Sequence, residues 1–375
     1  MGPLTFFLIA GEPSGDKLGA ALMEGLRELF PNVIFHGIGG PLMQAQGLTS
    51  QFPMEELSVM GIAEVLPKYL HLKRRIREAA SAVLALGPNA LITIDSPDFC
   101  LRVAALVKAA NPRQRTIHYV APSVWAWRPG RAAKMAKVID HVLALLPFEP
   151  PYMTAAGMTC DFVGHPVVAE PLATPKERQT FATTPRPLIL CLPGSRRSEV
   201  IRLAPIFGRA LGLLHQSHPT TTVALPTLAH IAPLGRDLIK DWPVQPRLIL
   251  DPTEKRAAFA EADVALAASG TVSLELAANA TPMVIAYDMH PVSWWLMKRA
   301  ALIDTVTLVN LVSKTRSVPE FLGPACRPEA IARALDATLK DNSAQTRAMA
   351  TTMTLLGKGA APPGLRAARS VLAHL

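Results

Sequence analysis

Charge and aromatic side chains are scarce in this chain of 375 residues, at 18% and 6%. Half of the residues are hydrophobic, which excludes a disordered polymer and leaves enough apolar surface for sizeable cores. The shortage of aromatics argues against a base-stacking platform, and no basic tract is longer than Lys73-Arg74-Arg75. Nucleic acid is therefore the weakest reading of the net charge of +9; phosphorylated metabolites or an anionic membrane surface suit it better. There are only four cysteines, Cys100, Cys160, Cys191 and Cys326, with no pair at metal-ligand spacing, as expected of buried free thiols in a reducing compartment. No apolar run is long enough to cross a bilayer. The opening MGPLTFFLIAGEPSGD lacks a charged n-region and a cleavage site, and reads as a first buried strand. A G-x-x-x-x-G-K-[ST] phosphate loop, a G-x-S-x-G elbow and an H-E-x-x-H pair are all absent, and His215 and His218 have no third ligand in sight. No metal and no cofactor is expected.

What is present is strand–helix alternation from end to end. Short apolar runs such as Thr5–Ala10, Ala90–Asp95, Leu188–Leu192 and Val264–Ala267 alternate with helical stretches such as Lys17–Leu29, Phe99–Ala110 and Val200–Ser217. That pattern predicts an α/β chain with parallel sheets covered on both faces. The length exceeds one compact core, and Pro171, Pro175, Pro185 and Pro187 mark a linker, after which the same architecture restarts.

Four loops carry candidate chemistry. In Ala262–Glu275 a strand feeds the turn Ser269-Gly270-Thr271 and then a helix, so free amides and two hydroxyls are available to an anion. Glu275, one turn on, adds nothing to phosphate binding but suits a diol such as a ribose; an ordinary capped helix is the equally weighted alternative. In LILCLPGSRRSE, Ser195 and Arg196 follow a strand, and an Arg fork there can neutralise a leaving diphosphate; Arg197 reads more readily as solvated. The first loop, Gly11-Glu12-Pro13-Ser14-Gly15-Asp16, is acidic and suits sugar hydroxyls better than phosphate, with Asp16 read as a helix N-cap. Asp95 and Asp98 follow another buried strand and are candidates for general-base work, for which burial or a neighbouring charge would help one of them hold a proton. The tryptophans of Val120–Arg128 read as a loop pocket or core plug, since Trp125 and Trp127 cannot share a helix face. His165 is equally a ligand contact or a structural histidine. Finally, MGIAEVLPKYLHL (residues 60–72) is followed by Lys73, Arg74, Arg75 and Arg77. Apolar anchors beside a basic cluster suit an anionic membrane, whereas Tyr69, Leu72, Ile76, Ala79 and Val83 also form an ordinary core face.

The motifs GEPSGD, GIGGPLM, MGIAEVLP, IDSPDF, YVAPSVWAWRPGR, PFE, GHPV, LPGSRRSEV, ASGTVSLELA, LVNL and VPEFL occur in that order along nearly the whole chain. Together they resemble the lipid-A-disaccharide synthase family, glycosyltransferases of the GT-B class. The resemblance implies GT-B architecture: two Rossmann-like domains, residues 1–168 and 169–345, with parallel sheets facing a cleft, and a segment 346–375 that returns to the first domain. It implies transfer from UDP-2,3-diacylglucosamine to 2,3-diacylglucosamine 1-phosphate (lipid X), with inversion, release of UDP and no metal. Ser195, Arg196, Ser269, Gly270, Thr271 and Glu275 would hold UDP, with Glu275 on the ribose. Asp98 would be the base; Glu12, Ser14 and Asn310 match further active-site positions on the acceptor side. Met60, Ile62, Val65, Leu66 and Tyr69 would face the inner membrane from its cytoplasmic side. Leu146 stands before Pro147-Phe148-Glu149 where the family more often has Phe. Two rivals remain: a UDP-N-acetylglucosamine epimerase of the same architecture, and a non-enzymatic nucleotide-sugar regulator. The final helix leaves dimerisation open.

Overall fold

Residues 2–57 and 62–375 are described by a computed structural model, with the backbone alone for 62–69. The short apolar runs form strands because each is buried on both faces of a parallel sheet. Strands β1 (Leu4–Ala10), β2 (Val33–Ile38), β3 (Thr49–Ser50), β4 (Ala90–Ile94), β5 (Thr116–Tyr119), β6 (His141–Ala144) and β7 (Thr159–Phe162) pair in the order β3-β2-β1-β4-β5-β6-β7. Along β1, Phe6, Leu8 and Ala10 enter one core while Phe7 and Ile9 enter the other. A second sheet comprises β8 (Leu188–Leu192), β9 (Thr222–Pro226), β10 (Arg247–Ile249), β11 (Val264–Ala267), β12 (Met283–Tyr287) and β13 (Glu320–Leu322), in the order β10-β9-β8-β11-β12-β13. Every pairing in both sheets is parallel. In each sheet the strand order reverses between two neighbours, β1 and β4 in the first and β8 and β11 in the second. Such switch points open a crevice beyond the carboxyl ends of the strands.

The chain divides into two compact units. Residues up to Ala169 together with Gly359–Leu375 form the first, and Glu170–Lys358 form the second. The helix Ser343–Leu355 thus stays with the second unit, and the return expected for 346–375 begins only at Gly359.

Close backbone approach and a polar anchor hold the returning helix Pro363–Ala373. It crosses helix Pro13–Leu29 where Gly25 meets Gly364; a Cβ on Gly25 would lie 2.7 Å from the Gly364 carbonyl oxygen. At its far end Ser370 Oγ is 2.8 Å from His141 Nε2 and donates to Asp161 at 2.7 Å. The ring of His374 stacks on His141 with centroids 3.8 Å apart, and Arg115 Nε donates to the His374 carbonyl. His141, Asp161 and His374 are the one group of potential metal ligands that converges among the described residues. It joins the first residue of β6 and the third of β7 to the C-cap of the returning helix, and serves as the helix anchor.

Asp16 differs from its expected role. Pro13 starts its helix three residues earlier, with Glu12 at the N-cap. Asp16 is buried instead and accepts from the amides of Gly40 (2.9 Å), Leu42 (2.9 Å) and Met43 (3.0 Å), capping the helix Pro41–Ala45. A second buried carboxyl, Glu149, fixes the far loops of the first sheet. It accepts from the amides of Leu145 (3.1 Å) and Leu146 (2.9 Å) and from Trp125 Nε1 (3.2 Å), while Trp125 meets Phe148 edge to face at 5.1 Å. Trp125 is thus a plug between loops. Burial pushes the Glu149 carboxyl up to about 7 against the opposing effect of these donors.

Gly25→Leu wedges the two helices apart and costs about 1–3 kcal/mol, seen as a lower melting temperature; an unchanged melt contradicts the close crossing. Glu149 holds its proton in the fold until about pH 7, whereas its ordinary value is 4.5. Its contribution is therefore full below 4.5 and is lost as pH rises through 7, by about 3 kcal/mol. Buried His118 and His141 and half-buried His165, each lowered to about 4 by desolvation, act in the opposite sense, since their contribution is present above 6.5 and lost as pH falls through 4. Subtracting the pH–stability curve of Glu149→Gln from that of the wild type isolates the carboxyl. The difference should fall between pH 4.5 and about pH 7, and a flat difference contradicts the assignment.

Candidate functional site

At the switch point of the second sheet, β8 and β11 run side by side, with Ala267 opposite Leu192, and Ala268 N–H donates to the Leu192 carbonyl at 2.8 Å. The loops that follow must therefore leave the sheet next to each other. Between them lies a cavity of about 460 Å³, and the structure brings Ser195, Arg196, Ser269, Gly270, Thr271 and Glu275 to its wall. After Ala268, the next amide with a backbone partner among the described residues is that of Ser273, which bonds to Gly270 at 3.3 Å. Gly270 has φ +154° and no atom within 4 Å of where a Cβ would be, so this turn is open to the cavity. Arg197 begins the helix Arg197–Ser217, is exposed, and is not part of the wall.

Three further groups line the cavity that sequence reasoning did not single out. Glu199, the third residue of that helix, reaches back to the amide of the N-cap residue Arg196. Its Oε2 accepts from the amides of Ser195 (3.2 Å) and Arg196 (3.3 Å), and its Oε1 lies 3.1 Å from the Arg196 guanidinium. The Ser195–Arg196 loop expected to greet an anion is thus already held by a carboxylate. The spacing of Arg196 and Glu199 was the legible signal. Lys255 lies on helix Pro252–Glu261 and reaches Glu275 at 3.0 Å and the face of Phe259 at 5.1 Å. Twenty residues separate Lys255 from Glu275, and only the fold brings them together. Thr227 adds a hydroxyl, while Pro226, Leu228, Phe259 and Val272 supply apolar wall. Two cations, several hydroxyls, two carboxylates and a flat apolar side suit a nucleotide, whose diphosphate meets the cations and whose ribose meets a carboxylate.

The first unit carries a separate cluster at its own switch point. Loops following β1 and β4 touch: a Cβ on Gly11 would come within 2.7 Å of Ser96 Oγ. Asp95 and Ser96 both take left-handed backbone, φ +51° and +43°, ahead of the helix Pro97–Ala110. Two consecutive non-glycine residues in that region are strained, and such strain collects where a loop must aim a side chain. The burial sought for one of the two aspartates is not found at Asp98, which is exposed; Asp95 is half-buried. Ser96 occupies the N-cap without a capping bond from its side chain, and Pro97 opens the helix. Glu12 is half-buried and Ser14 exposed at the same edge. His165 accepts from the Val167 amide at 3.2 Å, which gives it a structural bond.

Asn310 stands apart from the cavity. It is 1% exposed, donates to Thr305 Oγ1 (3.2 Å) and the Val318 carbonyl (3.0 Å), and accepts from the Val318 amide (3.0 Å), clamping the loop between them. Of the membrane-facing expectations, Met60 lies outside the described residues, and Ile62, Val65, Leu66 and Tyr69 lie on helix Ile62–Leu86 with their side chains outside them. Further along, Ile76, Ala79 and Val83 are buried, which is the core face, while Leu70 is 78% exposed. The basic cluster is partly neutralised: Arg75 bonds Glu56 at 2.7 and 2.9 Å and Glu78 at 2.8 Å, and lies over Phe52. No helix among the described residues is long and apolar enough to cross a membrane.

Comparison with known proteins converges on one family. Residues 6–361 match the family model described as Lipid-A-disaccharide synthetase. Relatives named lipid-A-disaccharide synthase include one from Ruegeria pomeroyi, 61% identical over 99% of this chain and 96% of its own length. Another, from Rhodospirillum centenum, is 47% identical over 99% and 95%. Among solved structures, the UDP-GlcNAc 2-epimerase of Neisseria meningitidis bound to UDP-GlcNAc superposes with TM-score 0.65 at 13% identity, covering 100% of this chain and 99% of that one. MurG of Acinetobacter baumannii does so with TM-score 0.59 at 14% identity, covering 100% of both. These two share the fold, which is α/β of the GT-B type. With one family matched across almost its full length, the chain belongs to the lipid-A-disaccharide synthases, glycosyltransferase enzymes of lipid A biosynthesis.

Proposed function

We propose that the protein joins UDP-2,3-diacylglucosamine to 2,3-diacylglucosamine 1-phosphate, forming a β-1,6-linked disaccharide with inversion and releasing UDP. The observation that carries this reading is the cavity between the β8 and β11 loops, in a chain of this family. UDP enters that cavity with its diphosphate against the Ser269–Thr271 turn, Arg196 and Lys255, and its ribose hydroxyls on Glu275. The epimerase neighbour holds UDP-GlcNAc on the same fold; family membership separates this chain from it.

Inversion at the anomeric carbon requires a single displacement. The 6-hydroxyl of the acceptor attacks as its proton passes to a carboxylate, and the sugar–phosphate bond breaks toward UDP. Asp98, exposed at the first switch point, takes that proton, and Glu12 and Ser14 hold acceptor hydroxyls from the neighbouring loop. Arg196 with Lys255 stabilises the charge that grows on the departing diphosphate. No step uses a metal or a cofactor. The substrates are lipids, so the protein works on the cytoplasmic face of the inner membrane, with the exposed Leu70 end of helix Ile62–Leu86 toward it.

Incubation with lipid X and the UDP-linked donor, without added metal, should yield disaccharide and UDP; conversion of UDP-N-acetylglucosamine alone would assign the epimerase reading instead. Asp98→Asn should lower turnover about 10²–10⁴-fold with UDP affinity retained, whereas Arg196→Ala should lose both affinity and turnover, by about 10²-fold in kcat/KM. Equal loss of UDP binding in Asp98→Asn would make that residue structural. Glu199 competes with the diphosphate for Arg196 and two amides. Glu199→Gln keeps an acceptor and removes the charge, so titration calorimetry should find UDP bound about fivefold more tightly, by about 1 kcal/mol; weaker binding would show that the carboxylate shapes the loop.

A further inference from the structure

We propose that helix Pro291–Ala300 of the second unit docks on an anionic lipid surface, through Val292, Trp295, Leu296 and Met297 with Lys298 and Arg299 at the headgroup level. No residue of this helix is buried. Val292 is 59% exposed, Trp295 and Leu296 54%, Met297 53%, and Leu302 just beyond it 60%. Positions 292, 295, 296 and 299 fall on one face by helical spacing, so Val292, Trp295 and Leu296 are contiguous with Arg299, while Met297 lies at the flank of that face. The helix is not loose: Trp294, half-buried, packs so closely on Gly323 that a Cβ there would lie 2.5 Å from the indole. One tryptophan therefore fastens the helix to the unit while the next faces outward.

Charge decides which occupant fits this face. From Met289 to Ile303 there is no Asp or Glu, while Lys298 and Arg299 are both exposed in the last turn. The flanking Asp288 is paired with Arg202 at 2.9 Å, and Asp304 is paired with Arg316. The Arg299 guanidinium lies 4.4 Å over the Trp295 ring, so a base and an amphipathic aromatic sit together. Tryptophan at headgroup depth, aliphatic residues below it and bases level with phosphate is the arrangement of an in-plane interfacial helix. At ten residues it is far too short to cross a bilayer, and it lies in a different unit from helix Ile62–Leu86. The inference rests on the reading of the protein as an enzyme of membrane lipids, and adds a contact from the second unit.

The test is co-sedimentation of the full-length protein with phosphatidylcholine vesicles, with and without phosphatidylglycerol. Two variants are compared with the wild type: Trp295→Ser/Leu296→Ser/Met297→Ser and Lys298→Glu/Arg299→Glu. All five side chains are exposed, so both variants should melt with the wild type. The wild type should bind the anionic vesicles, the triple variant should bind at least about tenfold more weakly, and the charge-reversed variant should lose its preference for phosphatidylglycerol. Undiminished binding by the triple variant overturns the inference and leaves the proposed reaction standing. Vesicle binding that depends on the helix in a protein that makes no disaccharide from lipid X overturns the reaction and leaves the inference standing. A wild-type dimer in sedimentation velocity that the triple variant splits assigns the face to a second copy and overturns the lipid assignment.

Discussion

The parallel pairing of β8 with β11 is the constraint on which the candidate site depends. Two strands far apart in sequence become neighbours, register brings Leu192 beside Ala267, and both chains must turn out of the sheet at the same edge. Nothing in either loop alone makes a cavity. The first sheet repeats the device with β1 and β4, and there the two loops are close enough for Gly11 to abut Ser96. One topology used twice thus yields two crevices of different chemistry: ion-paired and hydroxyl-bearing in the second unit, acidic in the first.

Carboxylates do much of the local work in both units, by three different means. Asp16 gathers three amides from another helix, Glu149 gathers two amides and an indole, and Glu199 gathers two amides and a guanidinium. The first two are buried and structural, since a buried carboxyl with every oxygen bonded specifies one loop geometry. Glu199 differs because its partners are the groups a diphosphate would use. In the second unit the Ser195–Arg196 loop is kept in shape by a carboxylate bonded to those same groups.

How much of this was legible follows from what each element buries. Leu188–Leu192 and Val264–Ala267 were read with their observed bounds because a strand covered on both faces is a continuous apolar run. The edge strands Thr49–Ser50 and Glu320–Leu322 escaped, being two or three residues long with no such run. The helix Ser343–Leu355 was not given its own bounds within the C-terminal segment because its inward face includes Gln345 and Thr352, whose partners (the Met283 amide and the Val309 carbonyl) lie far off in sequence. In the site, loops with a glycine or paired polar residues announced themselves. Lys255 did not, since a lysine near the start of a helix is indistinguishable from a solvated one until Glu275 comes within reach. Asp16 was misread for a related reason: its partners sit on a different helix, and local spacing reports only local caps.

The first unit is assembled from the two ends of the chain, and this sets an order of events at the ribosome. Its seven strands emerge early, yet the segment Gly359–Leu375 that completes it follows the whole of the second unit. Until those last residues emerge, Ala367, Ala368 and Val371 are missing from the core beside Phe6 and Leu8, and the groove at Gly25 lies open to water. The nascent amino-terminal half consequently keeps that apolar surface bare throughout synthesis of the other half. A stop codon that removes only the closing helix would cripple the opposite end of the polypeptide.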